Sequence, residues 1–180
     1  MTLTPAELTV LGLVIERPQH GYDLEQVIEQ RGIRQWTDIG FSSIYYLLTK
    51  LEQRGLLHVP QAPAAAKSRR VFHATAEGRE VAARNALAFV AEARPVPHPL
   101  LVGVANLSLL STQQYAQALR TRLAQIEARI AAVRAARVVQ QEQAVLPLAA
   151  REVFSYSLSL MEAERQWLAT RAQVPADEPD

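Results

Sequence analysis

The chain has 180 residues, 49% of them hydrophobic, with 19 basic and 18 acidic side chains and a net charge of +1. That length allows one ordinary domain or two small ones around a packed core, and the near-neutral balance argues against a general nucleic-acid-coating protein, so any nucleic-acid footprint has to be local. There is no cysteine, which excludes disulfides and Cys-based zinc sites, and the four histidines, His20, His58, His73 and His98, are so scattered that a metal site would need tertiary convergence; no metal or cofactor is expected.

The run TPAELTVLGLVIERPQHGYDLEQVIEQRG, starting at Thr4, predicts two helices. Thr4 suits the cap, Pro5 the opening position, and Glu7 completes a capping box. Leu8, Leu11 and Ile15 recur at helical spacing until Pro18 disfavours helical geometry at Arg17. After the turn Gln19-His20-Gly21, the residues Leu24, Val27 and Ile28 face inward and Gly32 closes the second helix. A stretch with Trp36 and Asp38 leads to a third helix. At roughly 100° per residue, Ile44, Leu47, Leu48 and Leu51 fall on one side and Ser42, Tyr46, Thr49 and Gln53 on the other. Ser43 and Lys50 flank the polar face on one edge and Tyr45 on the other. One face enters a core; the other offers hydroxyls, an amide, an ammonium and aromatic edges to a groove wide enough for a helix. A solvated amphipathic helix is the alternative, although two tyrosines are unusual choices for plain solvent.

Gly55 ends this helix by taking the left-handed conformation. Leu56 to Val59 and Val71 to His73 are strand candidates, limited by Pro60 and Pro63, and between them Lys67, Arg69 and Arg70 place three positive charges within four residues. A basic hairpin beside a groove-facing helix suits phosphate contact. Residues 1 to 75 carry eight Lys/Arg against seven Asp/Glu, so this cluster is the dense basic patch of the first half. Three helices and a β-wing make a winged helix-turn-helix.

Thr75 caps a helix rich in Ala, Glu and Arg that runs to Arg94. Arg94-Pro95-Val96-Pro97-His98-Pro99 breaks it, and helical composition resumes at Leu100. The apolar stretch Leu100 to Leu110, interrupted by Asn106 and Ser108, is too short to span a bilayer. Ser111 and Gln114 form a second capping box that opens a segment ending near Gln143, in which Leu119, Leu123, Ile126, Ile130 and Val133 follow 4-3-4-3 spacing, a coiled-coil-like seam. Pro147 restarts the chain. A last helix aligns Phe154, Leu158, Met161 and Leu168, with Val153, Leu160 and Trp167 widening that face. Two such helices present more apolar surface than a thin hairpin buries, so a second copy is expected to cover it, the alternative being an intramolecular bundle with the N-terminal domain. Arg120, Arg122, Arg129, Arg134 and Arg137 read as a solvated or cross-dimer paired face.

The expected fold is therefore mainly α: residues 1–94 form an N-terminal winged helix-turn-helix with a two-stranded β-wing and a linking helix over 76–94, 95–99 a Pro-rich linker, 100–172 a C-terminal helical dimerisation domain, and 173–180 a disordered acidic tail. No basic-then-apolar run opens the chain, so a signal peptide is not expected and the location is read as cytoplasmic. Catalysis would ask for a nucleophile with its base, a phosphate-cradling loop or a fixed carboxylate pair, and no such pattern stands out. A protein-binding winged-helix adaptor is the competing reading, one with little use for basic side chains beside an aromatic-polar helix.

In HGYDL at His20 to Leu24, SSIYYLLTKLEQRGLL at Ser42 to Leu57 and RRVFHATAEGRE at Arg69 to Glu80, the chain resembles the PadR-like transcriptional regulators over roughly its first 80 residues. The resemblance implies a homodimeric, repressor-type regulator on near-palindromic double-stranded operator DNA, with Ser42, Ser43, Tyr45, Tyr46, Thr49 and Lys50 on the reading helix and Lys67, Arg69 and Arg70 on the wing. It implies a C-terminal dimer interface, for which Leu119, Leu123, Ile126, Ile130, Val133, Phe154, Leu158, Met161, Trp167 and Leu168 are the candidates. Some members respond to small aromatic effectors; Trp36, Phe89, Tyr115 and Tyr156 are the side chains available for such a pocket, and aromatics at helical spacing equally suit a core. Two departures stand out: Tyr46 occupies a position where many relatives have Pro, and Ala64-Ala65-Ala66 stands where they carry a Gly-containing wing tip.

Overall fold

The computed structural model describes residues 1–40, 43–60, 70–93, 95–143 and 146–172. Ser42, Lys67, Arg69, the Ala64-Ala65-Ala66 tip and the expected tail over 173–180 lie outside the described residues. By contacts the chain divides into two compact units, Met1–Pro95 and Val96–Asp180.

In the first unit, helix α1 (Pro5–Glu16) starts at the expected capping box: Thr4 Oγ1 accepts from the Glu7 amide and the Glu7 carboxylate accepts from the Thr4 amide at 2.8 Å. It stops at Arg17, which is extended as the following proline requires. Helix α2 (Gly21–Gln30) follows, then Gly32 at φ +62° and a 3-10 turn at Ile33–Gln35. Helix α3 (Ser43–Gln53) leaves through Gly55 at φ +72°, with the Leu56 amide donating back to the Leu51 carbonyl at 2.9 Å. Strands β1 (Leu57–His58) and β2 (His73–Ala74) pair antiparallel, Leu57 opposite Ala74 and His58 opposite His73. The second strand thus lies later than its composition suggests. Phe72 pairs instead with Gln19, between α1 and α2, because its side chain enters the core and its backbone then lies against that junction.

The core of this unit takes Val10, Leu11 and Val14 from α1, Leu24 and Ile28 from α2, and Ile44, Leu48 and Leu51 from α3, all fully buried. Each such side chain contributes about 1.5–3 kcal/mol by leaving water. Helix α4 (Ala76–Ala91) adds Val81 and Ala82 and is capped by Thr75, whose hydroxyl accepts from the Gly78 amide. Its buried Asn85 accepts from the Leu3 amide and donates to the carbonyls of Met1 and Val81, tying the segment before α1 to α4.

In the second unit, the short helix α5 (Pro99–Ala105) and a 3-10 turn at Leu107–Leu109 bury none of their residues. The Ser111–Gln114 capping box then opens the long helix α6 (Thr112–Gln143), and α7 (Leu148–Ala172) returns along it. Part of the seam read as facing a partner meets α7 of the same chain: Leu119, Ile126 and Ile130 of α6 and Leu168 of α7 are buried together, while Leu123, Leu158, Met161 and Trp167 pack on them half-buried and Val133 and Phe154 are also half-buried. The short connection before Leu148 folds α7 back antiparallel, so its apolar face meets that of α6. Arg122 and Arg134 pair with Glu164 and Glu162 within this hairpin. Among the described residues no helix is long and apolar enough to cross a membrane.

Gly78 shows how tightly the entry to the wing is packed against α4: a Cβ there would lie 2.2 Å from the Leu56 carbonyl oxygen, a backbone atom with no freedom to yield. Gly78→Ala should therefore destabilise the first unit by about 2–3 kcal/mol, on the scale of core overpacking. A urea midpoint matching the wild type would show that α4 shifts freely.

Candidate nucleic-acid interface

Helix α3 is aimed by charge as well as by its apolar face. Glu7 is 1% exposed, yet ionised groups surround it: Lys50 Nζ and Arg54 Nη1 both lie 2.9 Å from Oε1, while Oε2 accepts from the Thr4 amide. Burial pushes the Glu7 pKa up, but the Thr4 amide and the Lys50 and Arg54 cations outweigh it and hold the carboxyl below its ordinary value. Both cations belong to α3 or the turn after it, so one carboxylate on the first turn of α1 fixes the last turns of α3. Lys50 also stands 5.9 Å above the Tyr46 ring. Instead of projecting from the polar face, as expected of a groove contact, Lys50 reaches back to Glu7.

What α3 presents outward is Tyr45, 56% exposed, Tyr46, 64% exposed, and Thr49, whose hydroxyl donates back to the Tyr45 carbonyl at 3.0 Å. Ser43 is spent on the turn that starts the helix, its hydroxyl donating to the Gly40 carbonyl at 2.8 Å. Tyr45 is less free than its exposure suggests. A Cβ at Gly21 would sit 2.6 Å from its Cε1, so the ring lies directly over the first residue of α2. A side chain at position 21 would have to push this exposed ring aside, so Gly21 sets where Tyr45 rests.

Arg70 lies beside this face. Its guanidinium pairs with Glu52 of α3 at 2.6 Å and stacks 5.1 Å from the Phe72 ring centroid, and its carbonyl lies 3.1 Å from His20 Nδ1. Arg70 is more than half exposed, so its pair with Glu52 is a surface pair of about 0–1 kcal/mol that another anion can displace. Sequence reasoning missed the Glu7 cluster, the Gln19–Phe72 bridge and the Tyr45–Gly21 contact. Glu7 was visible as a capping residue, but a carboxylate has room for further donors, and its cations come from 43 and 47 positions away.

Of the aromatics considered for an effector, Trp36 is half-exposed after the 3-10 turn of the first unit, and Phe89 is half-buried on α4. In the second unit Tyr115 lines a groove of roughly 710 Å³ with Leu100, Val104, Leu107, Leu110 and Leu119. Tyr156 is exposed on α7 and takes no part in that lining.

Residues 10–84 match the model of the transcriptional regulator PadR-like family. Among curated proteins none matches the sequence. Among solved structures, Bacillus subtilis PadR in complex with operator DNA superposes with a TM-score of 0.74 at 16% identity, over 94% of this chain and 98% of that one. The same protein in complex with p-coumaric acid gives 0.73 at 18% identity, over 96% and 98%. The Vibrio cholerae virulence activator AphA gives 0.71 at 18% identity, over 92% and 95%. At such identities the likeness is one of fold, and it extends over both units.

The Glu7 cluster makes the fold acid-sensitive in a defined direction. With a folded pKa below the ordinary 4.5, Glu7 contributes stability that is fully present above that value and is lost as pH falls through the folded pKa. Glu7→Gln should cost about 3 kcal/mol at neutral pH. In urea melts the gap to wild type should narrow as pH is lowered below 4.5 and through the folded pKa of Glu7; a gap constant with pH would remove Glu7 from the acid response.

Proposed function

We propose that this chain, whose residues 10–84 match the PadR-like family model, is a sequence-specific DNA-binding regulator of repressor type, acting in the cytoplasm as a homodimer on a near-palindromic operator. The observation that carries this reading is the outward face of α3, where Tyr45, Tyr46 and Thr49 stand exposed on a helix held by the buried Glu7. In this reading the tyrosines and Thr49 meet base edges and sugar-phosphate in the major groove, with Ser42 and Ser43 at the helix start. Lys67, Arg69 and Arg70 hold phosphates from the wing. Arg70 and Lys50 exchange Glu52 and Glu7 for phosphate or share themselves between the two.

A palindromic site needs two reading helices roughly 34 Å apart or a multiple of it, hence two chains. We assign the contact to the second unit, through the half-exposed flanks of the seam at Leu123, Val133, Phe154, Leu158, Met161 and Trp167 and through Leu101 and Val102 of α5 and Leu109 after it, each about two-thirds exposed or more. A small aromatic effector is part of the proposal. It is supported by the p-coumaric acid bound to Bacillus subtilis PadR, and the groove beside Tyr115 is the place we assign to it.

Two measurements test the reading. Arg70→Ala should weaken binding to an operator fragment and flatten the salt dependence by about one unit of slope, whereas Glu52→Gln, which releases Arg70, should tighten binding; no change in either variant would remove Arg70 from the interface. Leu101→Glu combined with Leu109→Glu should turn a dimer into a folded monomer in sedimentation. A variant still dimeric at micromolar concentration would place the interface elsewhere.

A further inference from the structure

The fold brings two scattered histidines face to face. His58 and His73 are direct partners in the β1–β2 ladder, at the base of the wing, with ring centroids 5.5 Å apart and planes 38° apart. His58 is exposed and His73 half-buried, and neither imidazole has a hydrogen-bond partner among the described residues.

The spacing suits a shared ion. With Zn–N bonds of about 2.0–2.1 Å and ring nitrogens about 1.1 Å from their centroids, two imidazoles at a tetrahedral angle on one ion place their centroids roughly 5 Å apart. The observed separation needs only a small adjustment of two rings that nothing else holds. We infer that His58 and His73 form a two-histidine site for a divalent transition ion of the zinc, nickel and copper class, with water completing the coordination. Imidazole suits those ions, and a chain without cysteine offers no thiolate to compete for them. Among the described residues no third His, Asp or Glu converges on the pair, so the ion is held at the surface and exchanges readily. Its effect is to staple a ladder only two residues long on each strand, a length that is marginal without support.

The test uses the full chain without DNA, so it is independent of the regulatory reading. Calorimetric titration with Zn²⁺, and separately with Ni²⁺, should show one saturable site per chain, weakened at least tenfold by His58→Gln and by His73→Gln and unchanged by His20→Gln and His98→Gln. Because His58 is exposed, its variant keeps the fold, which circular dichroism checks. Substoichiometric Ni²⁺ should broaden the imidazole resonances of His58 and His73 ahead of those of His20 and His98. Absence of saturable binding, an isotherm indifferent to both ladder histidines, or broadening centred on another histidine would overturn the assignment.

Discussion

A single buried carboxylate sets the geometry on which the first unit depends. Glu7 completes the cap of α1 with one oxygen and receives Lys50 and Arg54 with the other, so the start of one helix and the end of another are held at one point. An ion buried this deeply is stabilising only when its donors are in place, and here they are two cations and an amide. The arrangement gives α3 a rotational setting that apolar packing alone would leave loose. Leu47, Leu48 and Leu51 bury the apolar side of α3, and the charge triad adds directional contacts that hold its end at one position.

The same interaction marks how far a sequence discloses its fold. Features that depend on neighbours were legible: the Thr4–Glu7 and Ser111–Gln114 boxes, the break at Pro18, the left-handed Gly32 and Gly55, and the apolar faces of α3 and α6. Features that depend on distant partners were not. Heptad-like spacing in α6 identified an apolar stripe but not its cover, part of which is α7 of the same chain. Hydrophobic period named Lys50 as a flank of the outward face, while its long stem let the ammonium reach inward. Phe72 looked like a residue of the second strand but lies before it, in an isolated antiparallel bridge to Gln19, 53 positions earlier.

The outward face of α3 has its described charges paired. Among the described residues, Lys50 and Arg54 are engaged by Glu7, Arg70 by Glu52, and Arg34 by Glu25 and Glu29. These cations become available to an outside anion only by exchanging a carboxylate for it. Such a face gains less from long-range attraction than an unpaired basic patch and rests more on the close fit of aromatic and hydroxyl groups.

The wing is pinned at both ends. On one side Leu57 and His58 meet Ala74 and His73, on the other Phe72 meets Gln19, and the Leu56 carbonyl takes the Thr75 amide just before α4 begins. Between these clamps the chain closes a loop whose ends are held independently of its contents, and closure entropy grows only with the logarithm of loop length, about 0.6 kcal/mol for each doubling. Because both clamps lie in the described strands and the α1–α2 junction, a change of length between Val59 and Arg70 costs little in closure entropy and leaves the packing of α1 to α4 intact.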